Sequence, residues 1–191
     1  MSCAHPEPID PRVRRTKKLL QDSLRELLHE KPLNSISVQD IAERATVNRA
    51  TFYAHFEDRQ SLLTSVLVAD LDQWLRKRLP EDAPFNSENL LVVTEAVFEY
   101  LGNVRGNCPK AAQEMEHFFG TTMQEWLYEF VLCWIKNSPG ARSTPGHSRE
   151  TVATVLSWSI FGAAYMWSRG ARKQSAKEVS KQLSAVLLAG V

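Results

Sequence analysis

Arg49, Thr51, Tyr53 and His55 form a run of hydrogen-bond donors with no acid between Arg49 and Phe56. Each can donate to a phosphate oxygen or a base edge, so the chemistry they share is recognition of a nucleic acid. A helix that only packs would carry solubilising Glu and Lys on its outer side. At helical spacing Arg49 and Tyr53 (i, i+4) occupy one face, with Thr51 and His55 on its flanks. Phe52 and Phe56, also i and i+4, anchor the opposite face.

The preceding residues supply a helix to receive that anchor. Val38, Ile41, Ala42 and Ala45 fall at i, i+3, i+4 and i+7 and make one apolar stripe. Ser37 caps it, and Asp40 three residues on completes a capping-box-like pair while placing a negative charge in the first turn. Thr46-Val47-Asn48 breaks the helix, and Asn48 is the next N-cap. The two short helices and their tight turn read as a helix-turn-helix.

With its leader Arg12-Val-Arg-Arg-Thr-Lys-Lys18 and the following Phe56-Glu-Asp-Arg-Gln-Ser-Leu-Leu63, this segment resembles the N-terminal domain of TetR/AcrR-type transcriptional regulators. The matching positions are Ile41-Ala42, Ala45, Val47, Thr51, Tyr53, Phe56 and Leu62. Three positions depart: Ser37 replaces a Thr cap, Thr46 a turn Gly, and Arg59 the Lys opening the fourth helix. Thr46 is the least comfortable, because a left-handed helix terminus normally takes Gly or Asn. Either the turn is remodelled, or Thr46 is strained by about a kcal/mol. The resemblance covers roughly residues 12–75.

Resemblance and geometry together assign the DNA-binding roles. Arg49 is expected to read a base, most simply guanine. Gln39 reaches a base or a phosphate, and Thr51 a thymine methyl or a phosphate. Tyr53 and His55 hold phosphates. Ser37 and Arg59 sit at helix N-termini, where backbone amides already favour an anion. Asn48 and Ala50, at the start of the recognition helix, complete the set. The resemblance implies double-stranded DNA with a palindromic operator, read by a homodimer.

Composition agrees. The net charge is +1, but residues 12–18 hold five basic side chains and no acid, a phosphate-attracting footprint. Residues 61–140 are acidic, and the chain from Ala141 is basic again. Five Trp and eight Phe supply a sizeable core. Cys3, Cys108 and Cys133 make no metal-ligand spacing and no even disulfide framework, which suits a reducing cytoplasm. Residues 1–11 read as a flexible tail. No segment reads as a signal peptide or is apolar enough to span a bilayer, so no membrane partner is expected.

Catalysis has little support. His5, His29, His55, His117 and His147 are scattered, and no nucleophile–base set assembles from local motifs. Glu114 and His117 stand at i and i+3, yet no bundle-type metal site is expected from them. There is no Gly-rich phosphate loop. No catalytic residue, metal or cofactor is assigned.

The remaining chain reads as helices, with no period-two alternation. The spacing predicts helices over about 11–30, 58–79, 88–104, 110–119, 121–136, 148–169 and 175–188, with a break at Gly106-Asn-Cys-Pro109 and a loop from Asn137 to His147. The fold class is therefore all-α; the resemblance implies its division into a three-helix DNA-binding domain over 12–57 and a larger helical effector-binding and dimerisation domain over 58–191.

The middle region is rich in aromatics and Met, of the kind that line pockets for apolar ligands. The resemblance implies a cavity inside this body. The expected lining is Phe98, Met115, His117, Phe118, Met123, Trp126, Phe130, Phe161 and Tyr165, for a small apolar or aromatic effector. Tyr100 and His117 are candidates for orienting polar contacts. The last two helices carry spare apolar surface, as a helical-bundle dimer requires: Val155, Trp158, Gly162 and Met166 on one, Val179, Leu183, Val186 and Leu187 on the other. The expected function is a repressor released by that effector. Two alternatives are a DNA-binding dimer governed by a protein partner and a helical protein-interaction module.

Overall fold

The computed structural model describes residues 10–107, 116–138 and 147–189, without the side chains of 107 and 116–119. Among the described residues there are eight α-helices and no strand: α1 (Pro11–Glu30), α2 (Val38–Arg44), α3 (Arg49–Tyr53), α4 (Arg59–Arg76), α5 (Ser87–Asn107), α6 (Glu116–Asn137), α7 (Arg149–Arg169) and α8 (Ala176–Ala189). A short 3-10 turn, Leu33–Ser35, joins α1 to α2.

α1 starts where Asp10 accepts the Arg12 N–H at 2.8 Å and Pro11 takes the first turn. The basic leader is thus helical from its first residue. Leu20, Leu24 and Leu27 face inward with Ile36, Ile41, Ala45, Phe52 and Phe56. Each fully buried Leu contributes about 1.5–3 kcal/mol by leaving water. Arg44 holds α2 against α1 by a two-pronged pair with Glu30, both bonds 2.8 Å, and a 3.2 Å contact with Glu26. These two carboxylates raise the guanidinium's affinity for its proton.

α4 belongs to two cores. Its first half, Leu62, Leu63 and Val66, packs with α1 to α3. Its second half, Leu71 and Leu75, packs into a larger core built from α5, α6 and α7. It is also pinned sideways, since Arg25 of α1 meets Asp70 at 2.6 Å and the Tyr100 hydroxyl of α5 donates to the Leu67 carbonyl at 2.8 Å. Burial raises the Tyr100 phenol well above its ordinary range. The hydroxyl expected to orient a ligand is therefore spent on the α4 backbone.

Several boundaries differ from expectation. Asn86, not Ser87, caps α5, accepting the Asn89 N–H at 2.8 Å, and α5 runs through Gly106 to Asn107 rather than breaking there. α6 begins at Glu116 and passes through Gly120, where burial of its apolar face outweighs a single glycine's cost. Ser148 caps α7 as expected. Gly170 closes α7 but lies at φ −77°, extended rather than left-handed. The left-handed residue is Arg172, at φ 47°, held by bonds to the Gly102 and Ser168 carbonyls. Cys133 is disulfide-bonded, a pairing not expected from the spacing of the three cysteines. The expected tail, Cys3, Cys108, Met115 and most of the 137–147 loop lie outside the described residues.

Candidate DNA-binding site

The turn between α2 and α3 closes as a full Schellman motif. The Val47 N–H donates to the Ala42 carbonyl at 2.9 Å and the Thr46 N–H to the Glu43 carbonyl at 3.1 Å. This geometry needs a left-handed residue at its corner, and Thr46 supplies it at φ 55°. The turn is therefore not remodelled; the threonine takes the strained conformation. Val47 then packs against the core of the first three helices.

α3 follows at once. The Asn48 side chain accepts the Ala50 N–H at 2.9 Å and starts the helix. Phe52 is wholly buried and Phe56 nearly so, their rings 6.0 Å apart. That anchor turns the opposite side outward. Arg49, Ala50 and Tyr53 are exposed, and Thr51 and His55 partly so. Tyr53 keeps 49% of its surface in solvent, a large fraction for an aromatic. The Arg49 guanidinium sits 5.8 Å from the Tyr53 ring centre and 3.4 Å from its hydroxyl. The two side chains form one donor-bearing ledge.

The flanking candidates are more engaged. The Ser37 hydroxyl accepts the Asp40 N–H at 3.1 Å and donates to the Asp40 carboxylate at 2.8 Å. The Ser37 N–H, Lys31 and this hydroxyl together pull the Asp40 carboxyl down to about 2. The Gln39 amide donates to Glu43 one turn along. Arg59 turns inward and donates to the backbone carbonyls of Leu33 and Ile36. Its role in holding the turn before α2 was missed in sequence, because its partners lie more than twenty residues upstream.

Away from this surface a cavity of about 880 Å³ lies between α1, α4 and α6. Of the residues expected to line a ligand site, Trp126 and Phe130 border this cavity. The others with described side chains sit elsewhere: Phe98 is buried against Trp167, Met123 belongs to the core, and Phe161 stacks on Tyr165. The side chains of His117 and Phe118 lie outside the described residues. Unforeseen were Lys17, Gln21, Ser65, Asp72 and Arg76, polar residues that only tertiary packing brings to a cavity wall.

On α7 and α8, Val155, Trp158, Met166 and Val186 are 47%, 56%, 68% and 70% exposed. A side chain added at Gly162 would meet open space. Val179 and Leu183 are half-buried against their own core. Leu187, expected at the dimer seam, is buried within its own body instead, and Leu188 takes the outward position. Among the described residues no cluster of metal-binding side chains occurs and no helix is long and apolar enough to cross a membrane.

An anchored, exposed helix behind a tight turn, mounted on a three-helix core and a larger helical body, defines a helix-turn-helix regulator of transcription. Residues 20–66 match the family model of bacterial regulatory proteins, tetR family. The HTH-type transcriptional regulator EthR of Mycobacterium tuberculosis is 27% identical over 176 residues, covering 81% of this chain and 82% of its own. The TetR family repressor AlkX of Dietzia shares the fold at TM-score 0.63 and 15% identity, covering 96% and 98% of the two chains. The repressor QsdR of R. erythropolis does so at TM-score 0.61 and 21% identity, covering 95% and 96%. Residues 20–66 thus carry a tetR-type DNA-binding domain, and over most of its length the chain is similar to TetR family regulators of transcription.

Proposed function

We propose that this chain is a cytoplasmic repressor that binds a palindromic operator as a dimer and leaves it when a small molecule fills the cavity between α1, α4 and α6. The observation that carries the DNA half is the exposed Arg49–Tyr53 ledge on a helix whose other side is locked by Phe52 and Phe56. A ledge held at 3.4 Å spacing on a rigid anchor can enter a major groove without reorganising. Arg49 reads a base, and Thr51, Tyr53, His55 and the cations of the leader hold phosphates, with Asn48 and Ala50 at the backbone approach. Ser37 and Gln39 contact DNA at the edge, and Arg59 holds the turn before α2 from within.

The exposed apolar strip on α7 and α8 favours pairing of two chains. A two-fold pair reads half-sites about 34–36 Å apart or a multiple of that, so small changes in the separation of the two α3 helices alter affinity steeply. α4 packs into both cores and borders the cavity. A ligand there bears directly on the lever between reader and body. Residues 12–57 form the reading unit and 58–191 the effector and dimerisation unit, with α4 joining them.

Selection of duplexes from a random pool tests this reading. An inverted repeat with half-site centres near one helical turn apart is the expected product. Recovery of no enriched sequence, with salt-insensitive residual binding, would remove it.

A further inference from the structure

We propose that the cavity between α1, α4 and α6 takes an organic cation with an apolar or aromatic body. This rests on the reading of that cavity as the effector site. Its wall carries four carboxylates against two cations, Lys17 and Arg76. Arg76 is already neutralised, with Asp72 at 2.6 Å and Glu81 at 2.7 Å. That leaves Lys17 against two acids, Glu125 and Glu129. They stand one turn apart on α6, and neither has an ion-pair partner among the described residues. Like charges at that spacing repel, and a positive ligand between them removes the repulsion.

The same stretch of α6 provides the apolar half of the site. Trp126 and Phe130, adjacent in sequence to those carboxylates, stack with ring centres 5.4 Å apart and planes 20° from parallel. Both rings border the cavity and stay partly open. An aromatic face attracts a cation, and more so where water is thin. Glu125 and Glu129 are themselves exposed; the stacked rings beside them on the cavity wall set them apart from acids on an outer helix face. Trp126 and Phe130 pack against the main core on one side and border about 880 Å³ of empty space on the other. Cavities of this size suit drug-sized molecules, roughly 300–1,000 Å³. A carboxylate or sulfonate ligand would face the excess negative charge and be repelled. Lys17 and Gln21 of α1 also line the cavity, so the occupant touches the reading unit and the body together.

The test uses three probes of one shape, 4-phenylbutyl trimethylammonium, 4-phenylbutyl sulfonate and 4-phenylbutanol, titrated calorimetrically into the full chain. The ammonium compound is expected to bind at least about tenfold more tightly than the other two. That preference should collapse in Glu125→Gln/Glu129→Gln. Equal or tighter binding of the sulfonate or the alcohol to the natural chain overturns the proposal, as does failure of all three to bind. The natural chain decides this whether or not the double variant folds. Release of a selected duplex is measured separately. Cation binding without release leaves the charge preference standing and removes the effector role. Release by the sulfonate or alcohol keeps the effector role and removes the charge preference.

Discussion

The Arg59 guanidinium donates to the Leu33 carbonyl oxygen across 2.9 Å and to the Ile36 carbonyl beside it. The first residue of α4 therefore holds the turn that leads into α2, and any movement of α4 reaches the helix-turn-helix through this bond set. Arg59→Ala should cost about 1–3 kcal/mol, because partly buried carbonyls lose their donor. It should weaken binding to every duplex alike. Arg59→Lys should recover only part, since an ammonium cannot fan out to several carbonyls as a guanidinium does. Thermal unfolding and duplex titration of both variants check this; an Arg59→Ala protein with unchanged melting and affinity would show the bonds to be inert.

Thr46 offers a stabilising change. A β-branched residue at φ 55° pays roughly 1–2 kcal/mol of steric strain. Thr46→Gly relieves it but adds freedom to the unfolded chain. The net expectation is a gain of about 0.5–1 kcal/mol, which for a chain of this size raises the melting temperature by about 2–4 °C at most. A lower melting temperature would mean that the threonine makes a compensating contact.

Specificity should separate from affinity on the α3 ledge. Arg49→Ala is expected to relax preference at one position per half-site by about 1–3 kcal/mol. Tyr53→Phe removes a phosphate donor and should weaken all sequences equally. Repeating the duplex selection with each variant distinguishes them, and an unchanged motif from Arg49→Ala would refute base reading by that side chain.

Acid should loosen α2. The Asp40 carboxyl is held at about 2 by the Ser37 N–H first, then Lys31 and the Ser37 hydroxyl. Its folded value lies below its ordinary one, so its contribution is complete above about pH 4 and disappears as pH falls towards 2. Denaturation midpoints should show Asp40→Ala less stable than the natural chain at pH 6, with the gap narrowing below pH 4. A gap independent of pH would mean that the carboxylate charge plays no part.

Pairing through α7 and α8 is tested by Met166→Glu. Met166 is 68% exposed, so the change should alter the stability of a single chain by less than about 0.5 kcal/mol. Within a paired surface the same carboxylate would be buried without a partner. Sedimentation should then show single chains where the natural protein is paired, together with a steep loss of operator affinity. An unchanged oligomeric state would exclude this face from pairing.

The reader was legible residue by residue because its determinants are local. Ser37, Asp40, Asn48, Phe52 and Phe56 act on neighbours within four positions, and caps and i, i+4 pairs act at that range. The strain at Thr46 followed from a steric rule and a single turn. The cavity was not legible. Trp126 and Phe130 were named among other aromatics, but Lys17 and Asp72 come from helices that meet α6 only in three dimensions. The two faces of α8 were likewise ambiguous, with Val186 outward and Leu187 inward although both are apolar neighbours.

By itself, then, the chain's order of residues determined the helices, the tight turn and the donor-bearing ledge. Tertiary packing alone decided where empty space remains, which apolar side chains stay exposed and whom Arg59 holds. Burial depends on the summed geometry of several helices, and that sum has no period in the sequence.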